Sequence, residues 1–175
     1  RDSYTRINMD GKRFYSGPHA PNSSAAVCQI AGQSARIACC SHNMADFTAK
    51  QRIVLGADHA GYRLKESIKI YLQGAGYTVD DVGAASEESV DYPDFGAAAA
   101  HRVADGKNDL GIVICGTGIG ISIAANKVSG IRAALVGDPT TAHMAREHND
   151  ANVLALAGRS LSDEQALQIV HEFLN

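Results

Sequence analysis

Only four cysteines occur in the 175 residues, Cys28, Cys39, Cys40 and Cys115, and no two are spaced as C-x-x-C. A zinc site draws on thiolates or histidines at short, defined spacings, and a disulfide framework needs separable pairs. Adjacent Cys39 and Cys40 offer neither, so no metal is expected and a reducing, cytoplasm-like compartment suits the chain. An excess of either charge is also missing: 16 Lys and Arg stand against 19 Asp and Glu, a formal net charge of −3. That balance lacks the basic footprint of a nucleic-acid-binding protein. No apolar run approaches the roughly 20 residues that span a bilayer. Neither nucleic acid nor membrane is therefore an expected partner. What is present is ordinary for a soluble globular chain, with 45% hydrophobic and 20% charged residues. The length suits one domain with a tail.

Residues 1–50 read differently from the rest. They show no clear helical or strand period and contain Gly17-Pro18 and Pro21-Asn-Ser-Ser24. From Arg1 to Asn43 five Lys/Arg face two acids, which weakly resembles an organelle transit peptide. The plainer expectation is an N-terminal extension that is disordered or not native, with translation starting at Met44.

From Arg52 onward, strand-like and helix-like segments alternate. Arg52–Ala57 is a short apolar run, followed by Asp58-His59. Leu64, Ile68, Leu72 and Ala75 then recur at helical spacing, and Gly74-Ala-Gly76 stops that helix. Tyr77–Val82 is the second strand, and the polar loop leads to Asp91-Tyr-Pro93, where the proline suits the first turn of a helix carried by Ala97–Val103. Leu110–Cys115 is the third strand, Ile119–Val128 the third helix and Ile131–Val136 the fourth strand. Asp138-Pro139 pairs an N-cap with proline at the first helical position, opening a helix that reaches His148. Asn152–Ala157 is the fifth strand, and Ser162 with Gln165 has capping-box spacing before the stripe Ala166, Ile169, Val170, Phe173. This alternation predicts an α/β fold with a five-stranded parallel sheet covered on both faces.

Right-handed crossovers place all strand C-termini on one edge, where open α/β sheets bind ligands. Asp58-His59, Asp91-Tyr92, Cys115-Gly-Thr-Gly, Asp138 and Gly158-Arg159 fall there. The glycine stretch is informative. A strand ends in a thiol, passes Gly116, Gly118 and Gly120, and enters a helix. The unpaired N–H groups and dipole of a helix N-terminus favour a thiolate, and glycines let an anionic oxygen approach the main chain. Cys115 is thus a candidate base or nucleophile beside an anion cradle over residues 116–120; the alternative is an inert buried thiol. The loop is not G-x-G-x-x-G, since Ile121 holds the sixth position, and no Walker lysine follows. No nucleotide cofactor is expected. Asp58-His59 reads either as a helix cap with a surface histidine or as a hydroxyl-binding carboxylate beside a proton-moving imidazole. His148 ends its helix on the opposite edge, so it should lie far from Cys115 within one subunit.

Gly56-Ala-Asp-His-Ala-Gly61, Asp91-Tyr-Pro93, Cys115-Gly-Thr-Gly-Ile-Gly-Ile-Ser-Ile-Ala-Ala-Asn-Lys127, Ile131-Arg-Ala133 and His148-Asn-Asp-Ala-Asn-Val153 together resemble the ribose-5-phosphate isomerase B family. Galactose- and allose-phosphate isomerases belong to its wider circle. The resemblance runs unbroken from Arg52 to Asn175. It implies a Rossmann-like three-layer α/β/α sandwich of strand order 2-1-3-5-4, a domain over residues 51–175, and no cofactor or metal. It also implies a homodimer with shared active sites, with a tetramer as a further assembly. The implied reaction interconverts D-ribose 5-phosphate and D-ribulose 5-phosphate through a cis-enediolate. Cys115 would be the base, His148 the ring-opening proton donor assisted by Asp58, and Thr117 with the amides of Gly116, Gly118, Ile119 and Gly120 the oxyanion donors. By the same match His59, Tyr92, Asn149 and Arg159 line the substrate.

The resemblance further implies a segment beyond the last helix whose arginines grip the phosphate. The domain is on that ground expected to be truncated at its C-terminus, with substrate binding weakened. The rival expectations are an allose- or galactose-phosphate isomerase and a non-catalytic sugar-phosphate-binding protein.

Overall fold

The computed structural model describes residues 50–175 together with two short strands, β1 (Thr5–Ile7) and β2 (Arg13–Tyr15). By contact the chain divides into two units, Arg1–Phe47 and Thr48–Asn175. In the first unit β1 and β2 pair antiparallel, with Arg6 opposite Phe14. The sequence reading assigned no strand to this region. Three-residue strands are too short for an alternating pattern to register. The transit-peptide reading and the proposed start at Met44 lie outside the described residues.

The second unit follows the predicted alternation. Its strands are β3 (Arg52–Ala57), β4 (Thr78–Asp81), β5 (Leu110–Cys115), β6 (Ala133–Leu135) and β7 (Val153–Ala157). All pair in parallel, in the order β4-β3-β5-β7-β6. This is the order that the resemblance implied. The central strands are buried on both faces, which is why they read as continuous apolar runs rather than alternating ones. Ile53, Leu55, Ile112, Ile114, Leu154 and Leu156 face one layer, α1 (Tyr62–Gly74), α4 (Pro139–Glu147) and α5 (Asp163–Leu174). Val54, Val113, Cys115, Val153 and Ala155 face the other, α2 (Tyr92–Ala104) and α3 (Ile119–Asn126). The result is a three-layer α/β/α sandwich.

Local chemistry sets the helix ends. The Asp138 carboxylate accepts the Thr141 N–H at 2.9 Å with Pro139 at the first helical position, and Ser162 and Gln165 form a reciprocal capping box. These match expectation. The start of α2 matches too: the helix begins at Tyr92 with Pro93 in its first turn, ahead of the apolar stretch Ala97–Val103. Pro93 sits comfortably there, where its missing N–H costs nothing. The consequence is functional, because Tyr92 becomes a residue of a helix N-terminus held against the sheet edge.

Candidate active site

The C-terminal edges of β3, β5 and β7 border a cavity of about 390 Å³. Cys115 forms its floor. The residue is 4% exposed, because it packs against the α2 and α3 layer. Its Sγ accepts a hydrogen bond from the Gly118 N–H at 3.2 Å. Gly118 is the N-cap of α3 and adopts a left-handed conformation, φ 73°. A side chain there would meet Leu135 Cδ1 at 2.5 Å and the backbone of Leu156 at 3.0 Å. Glycine is thus required both for the backbone angle and for the close pass that aims its N–H at sulfur. The helix-terminus field predicted for Cys115 is realised as a specific N–H to sulfur contact.

Asp58 follows β3 and is 5% exposed. Its Oδ1 accepts the Gly61 N–H at 3.0 Å, which fixes the turn into α1, and the residue lines the cavity. Asp58 is not the helix cap that one reading expected, since Gly61 is the N-cap of α1 and has no side-chain cap. Its carboxylate instead forms the preceding turn while the residue borders the cavity. His59 beside it places Nδ1 3.2 Å from both the N–H and the carbonyl oxygen of Val90. Either tautomer is satisfied by that peptide, which orients the ring while it faces the cavity. Val90 was not singled out in the sequence, since nothing local marks a backbone partner 31 residues away.

Tyr92 and Arg159 close the sides. A Cβ at Gly120 would stand 2.6–2.9 Å from the Tyr92 ring, so the ring lies directly on the first turn of α3. Arg159 lies against Gly116 in the same way, with its Nε 3.3 Å and its guanidinium carbon 3.4 Å from where a Cβ would be. Its N–H donates to the Gly116 carbonyl at 3.1 Å. This backbone contact brings a guanidinium over the glycine loop, a charge suited to an anionic ligand. Thr117 and Ile119 complete the rim, and Ala60, absent from the sequence reading, lines it too. A small apolar residue carries no chemical signal by which sequence could have marked it.

His148 and Asn149 are not among the residues bordering this cavity. His148 is the C-cap of α4, and the chain then enters β7 at Val153, on the edge of the strand N-termini. Cys115 is level with Ala157 at the other end. At a strand rise of about 3.3 Å per residue the two edges are about 13 Å apart along β7 alone. The separation expected from topology is present.

A larger groove of about 650 Å³, walled by Tyr71, Pro139, Leu167 and His171, opens among α1, α4 and α5. It lies on the opposite face of the sheet from Cys115 and has no glycine anion cradle. Among the described residues, no group of three or more His, Cys, Asp or Glu is placed to hold a metal ion. No helix there is long and apolar enough to cross a membrane.

Comparison with known proteins agrees with the geometry. A family model described as Ribose/Galactose Isomerase matches residues 53–175. Over 124 residues the chain is 47% identical to ribose-5-phosphate isomerase B of Escherichia coli strain K12, covering 71% of this chain and 83% of that protein. The structure of Clostridium thermocellum ribose-5-phosphate isomerase B is similar with a TM-score of 0.70 at 55% identity, over 71% of this chain and 84% of that one. A crystal structure of the Mycoplasma genitalium ribose-5-phosphate isomerase B with bound ribulose-5-phosphate gives 0.68 at 43% identity, over 71% and 83%. With its fold and most of its length matched, the chain belongs to the ribose/galactose isomerase family.

Proposed function

We propose that the protein is an aldose–ketose isomerase interconverting D-ribose 5-phosphate and D-ribulose 5-phosphate through a cis-enediolate. The observation that carries this reading is the Cys115 sulfur held by the Gly118 N–H inside a cavity that also presents Asp58, His59, Tyr92 and Arg159. Removing the proton α to a sugar carbonyl needs a base beneath that carbon and donors for the oxyanion that develops. Cys115 is the base and takes the C2 proton. The amides of Gly116, Ile119 and Gly120, with Thr117, stabilise the enediolate oxygens. A proton passes from O2 to O1, and the proton held by Cys115 returns to C1, leaving the ketone at C2. The Arg159 guanidinium and the His59 ring bind the anionic end of the sugar. The relative crystallised with ribulose-5-phosphate supports this choice of substrate.

Ring opening precedes enolisation. It needs a proton on the ring oxygen and removal of one from the 1-hydroxyl. Asp58 assists, and His148 is the donor. Because His148 and Asn149 stand on the far edge of their own sheet, they serve the Cys115 cavity of a second copy, and the working unit is a homodimer with shared sites. Ile119 and Ile123, 53% and 55% exposed and one turn apart on α3, support this arrangement. They form an apolar stripe rising from the anion cradle, as a surface covered by a partner does. A free thiol acting as base suits a reducing compartment such as the cytoplasm.

The test mixes two inactive variants. Cys115→Ala and His148→Ala homodimers each lose conversion of ribose 5-phosphate. After subunit exchange, heterodimers hold one intact composite site, restoring about a quarter of wild-type activity. Full activity in Cys115→Ala alone would remove the base assignment. Mixing without recovery would remove the shared site.

A further inference from the structure

Arg132 belongs to the Ile131-Arg-Ala133 motif, yet it lies outside the cavity and has no part in the chemistry above. Its surroundings point to the turn that follows His148. Asp150 adopts φ 47°, the one described non-glycine residue in the left-handed region. Such an angle costs a side-chain-bearing residue of order 1–2 kcal/mol and persists only where its neighbours hold it. The helix end contributes, the Asp150 N–H donating to the Arg146 carbonyl at 3.1 Å and the Ala151 N–H to the Ala145 carbonyl at 2.9 Å. Arg146 Nη1 also stands 3.5 Å from the Asp150 carboxylate. The closest side-chain hold comes from Arg132. Its Nε donates to the Asp150 carbonyl oxygen at 2.8 Å and its Nη2 to the Asp150 carboxylate at 3.1 Å. The arginine is itself anchored at the start of β6, where its backbone N–H donates to Asn152 Oδ1 at 2.8 Å. Arg146 secures the other side, donating to the Ala151 carbonyl at 2.6 Å. His148 and Asn149 therefore sit between the end of α4 and a turn bolted to the sheet edge.

We infer that Arg132 is a positioning residue for ring opening, because its two-pronged grip on Asp150 sets the direction in which His148 and Asn149 are presented to the partner's cavity. The inference rests on the composite-site reading proposed above. A planar fork can hold a backbone carbonyl and a carboxylate together, which a lysine cannot. Misplacing a proton donor by about 1 Å costs up to about a hundredfold in rate.

The experiment separates ring opening from enolisation. Ribose 5-phosphate is mostly a closed ring. Ribulose 5-phosphate cannot close a furanose, because its 5-oxygen carries the phosphate. An enzyme that enolises but no longer opens rings depends on spontaneous opening in solution. Its conversion of ribose 5-phosphate then stops rising as more enzyme is added. For Arg132→Ala in the full chain we expect this plateau, with ribose 5-phosphate conversion at high enzyme concentration down about tenfold or more. Consumption of ribulose 5-phosphate should keep scaling with enzyme. Arg132→Lys should behave like Arg132→Ala. Asp150→Val, at a side chain 81% exposed, should reproduce the plateau without threatening the core, since β-branched residues avoid positive φ. Asp150→Asn should keep near-wild-type behaviour, because asparagine tolerates the left-handed angle and still offers both a carbonyl and a side-chain oxygen to the fork. Parallel loss in both directions would make Arg132 merely structural and overturn the inference, as would unchanged kinetics. His148→Ala run alongside separates the two levels: if it shows no plateau, the ring-opening role of His148 on which the inference rests fails. If it shows one and the Arg132 variants do not, only the inference fails.

Discussion

Gly118→Ala isolates the contact on which the chemistry of Cys115 depends. Two effects combine at this position. The backbone angle, φ 73°, costs an alanine about 1–2 kcal/mol. The new Cβ meets Leu135 Cδ1 at 2.5 Å and Leu156 backbone atoms at 3.0 Å. Leu135 is 46% exposed and can turn away. Leu156 belongs to β7 in the middle of the sheet and cannot, so the start of α3 must lift by a few tenths of an ångström. That movement lengthens the 3.2 Å contact from the Gly118 N–H to sulfur. A hydrogen bond to a charged group contributes about 1.5–3 kcal/mol, so losing it should slow turnover about ten- to a hundredfold. Gly130→Ala is the control. Gly130 has φ 82° and nothing within 4 Å of a built Cβ, so it carries the backbone cost without the site effect. The assay is thermal unfolding and isomerisation of both variants. Both should lose the backbone cost, Gly118→Ala losing more because of its contact with Leu156, and only Gly118→Ala should lose turnover in the fully folded enzyme. Equal turnover in the two would refute the claim that this amide sustains the base.

Two further outcomes follow from the same geometry. Gly120→Ala should leave stability unchanged or raise it, since alanine favours a helix by up to about 1 kcal/mol, while pushing the Tyr92 ring off α3 and raising KM. Substrate titration beside a melting curve checks this, and an unchanged KM would show that Tyr92 does not shape the cavity. Below α1, the Lys65 ammonium, 2% exposed, meets Asp81 at 2.6 Å and Glu66 at 2.7 Å. Burial alone would raise the Asp81 carboxyl, but hydrogen bonds from Lys65, Lys69 and the Gly83 N–H outweigh it and hold the group below the usual range. A carboxyl depressed in the folded state contributes stability above its unfolded value, near 4. That stability is lost as pH falls from there through the folded value. Asp81→Ala should cost about 1.5–3 kcal/mol at neutral pH, because the buried ammonium then keeps only Glu66, and it should flatten the acid limb of a denaturant-unfolding series. An acid limb as steep as wild type would assign the pH dependence elsewhere.

Several features of this protein were legible from residue order alone. Strands buried on both faces read as apolar runs, and a thiol before a glycine turn marks a strand end entering a helix N-terminus. Even the distance between His148 and Cys115 followed, because right-handed crossovers put a helix C-terminus on the edge opposite the strand C-termini. These are properties of local pattern and chain direction. Tertiary structure alone decided the rest: the Val90 peptide that orients His59, the Tyr92 ring lying on Gly120, and the Arg132 fork that holds Asp150 at positive φ. Each joins residues roughly twenty to thirty positions apart through distances of a few ångströms. No periodicity encodes such a contact. It exists only once packing has brought two sheet-edge loops, or a helix end and its neighbouring strand, into the same place.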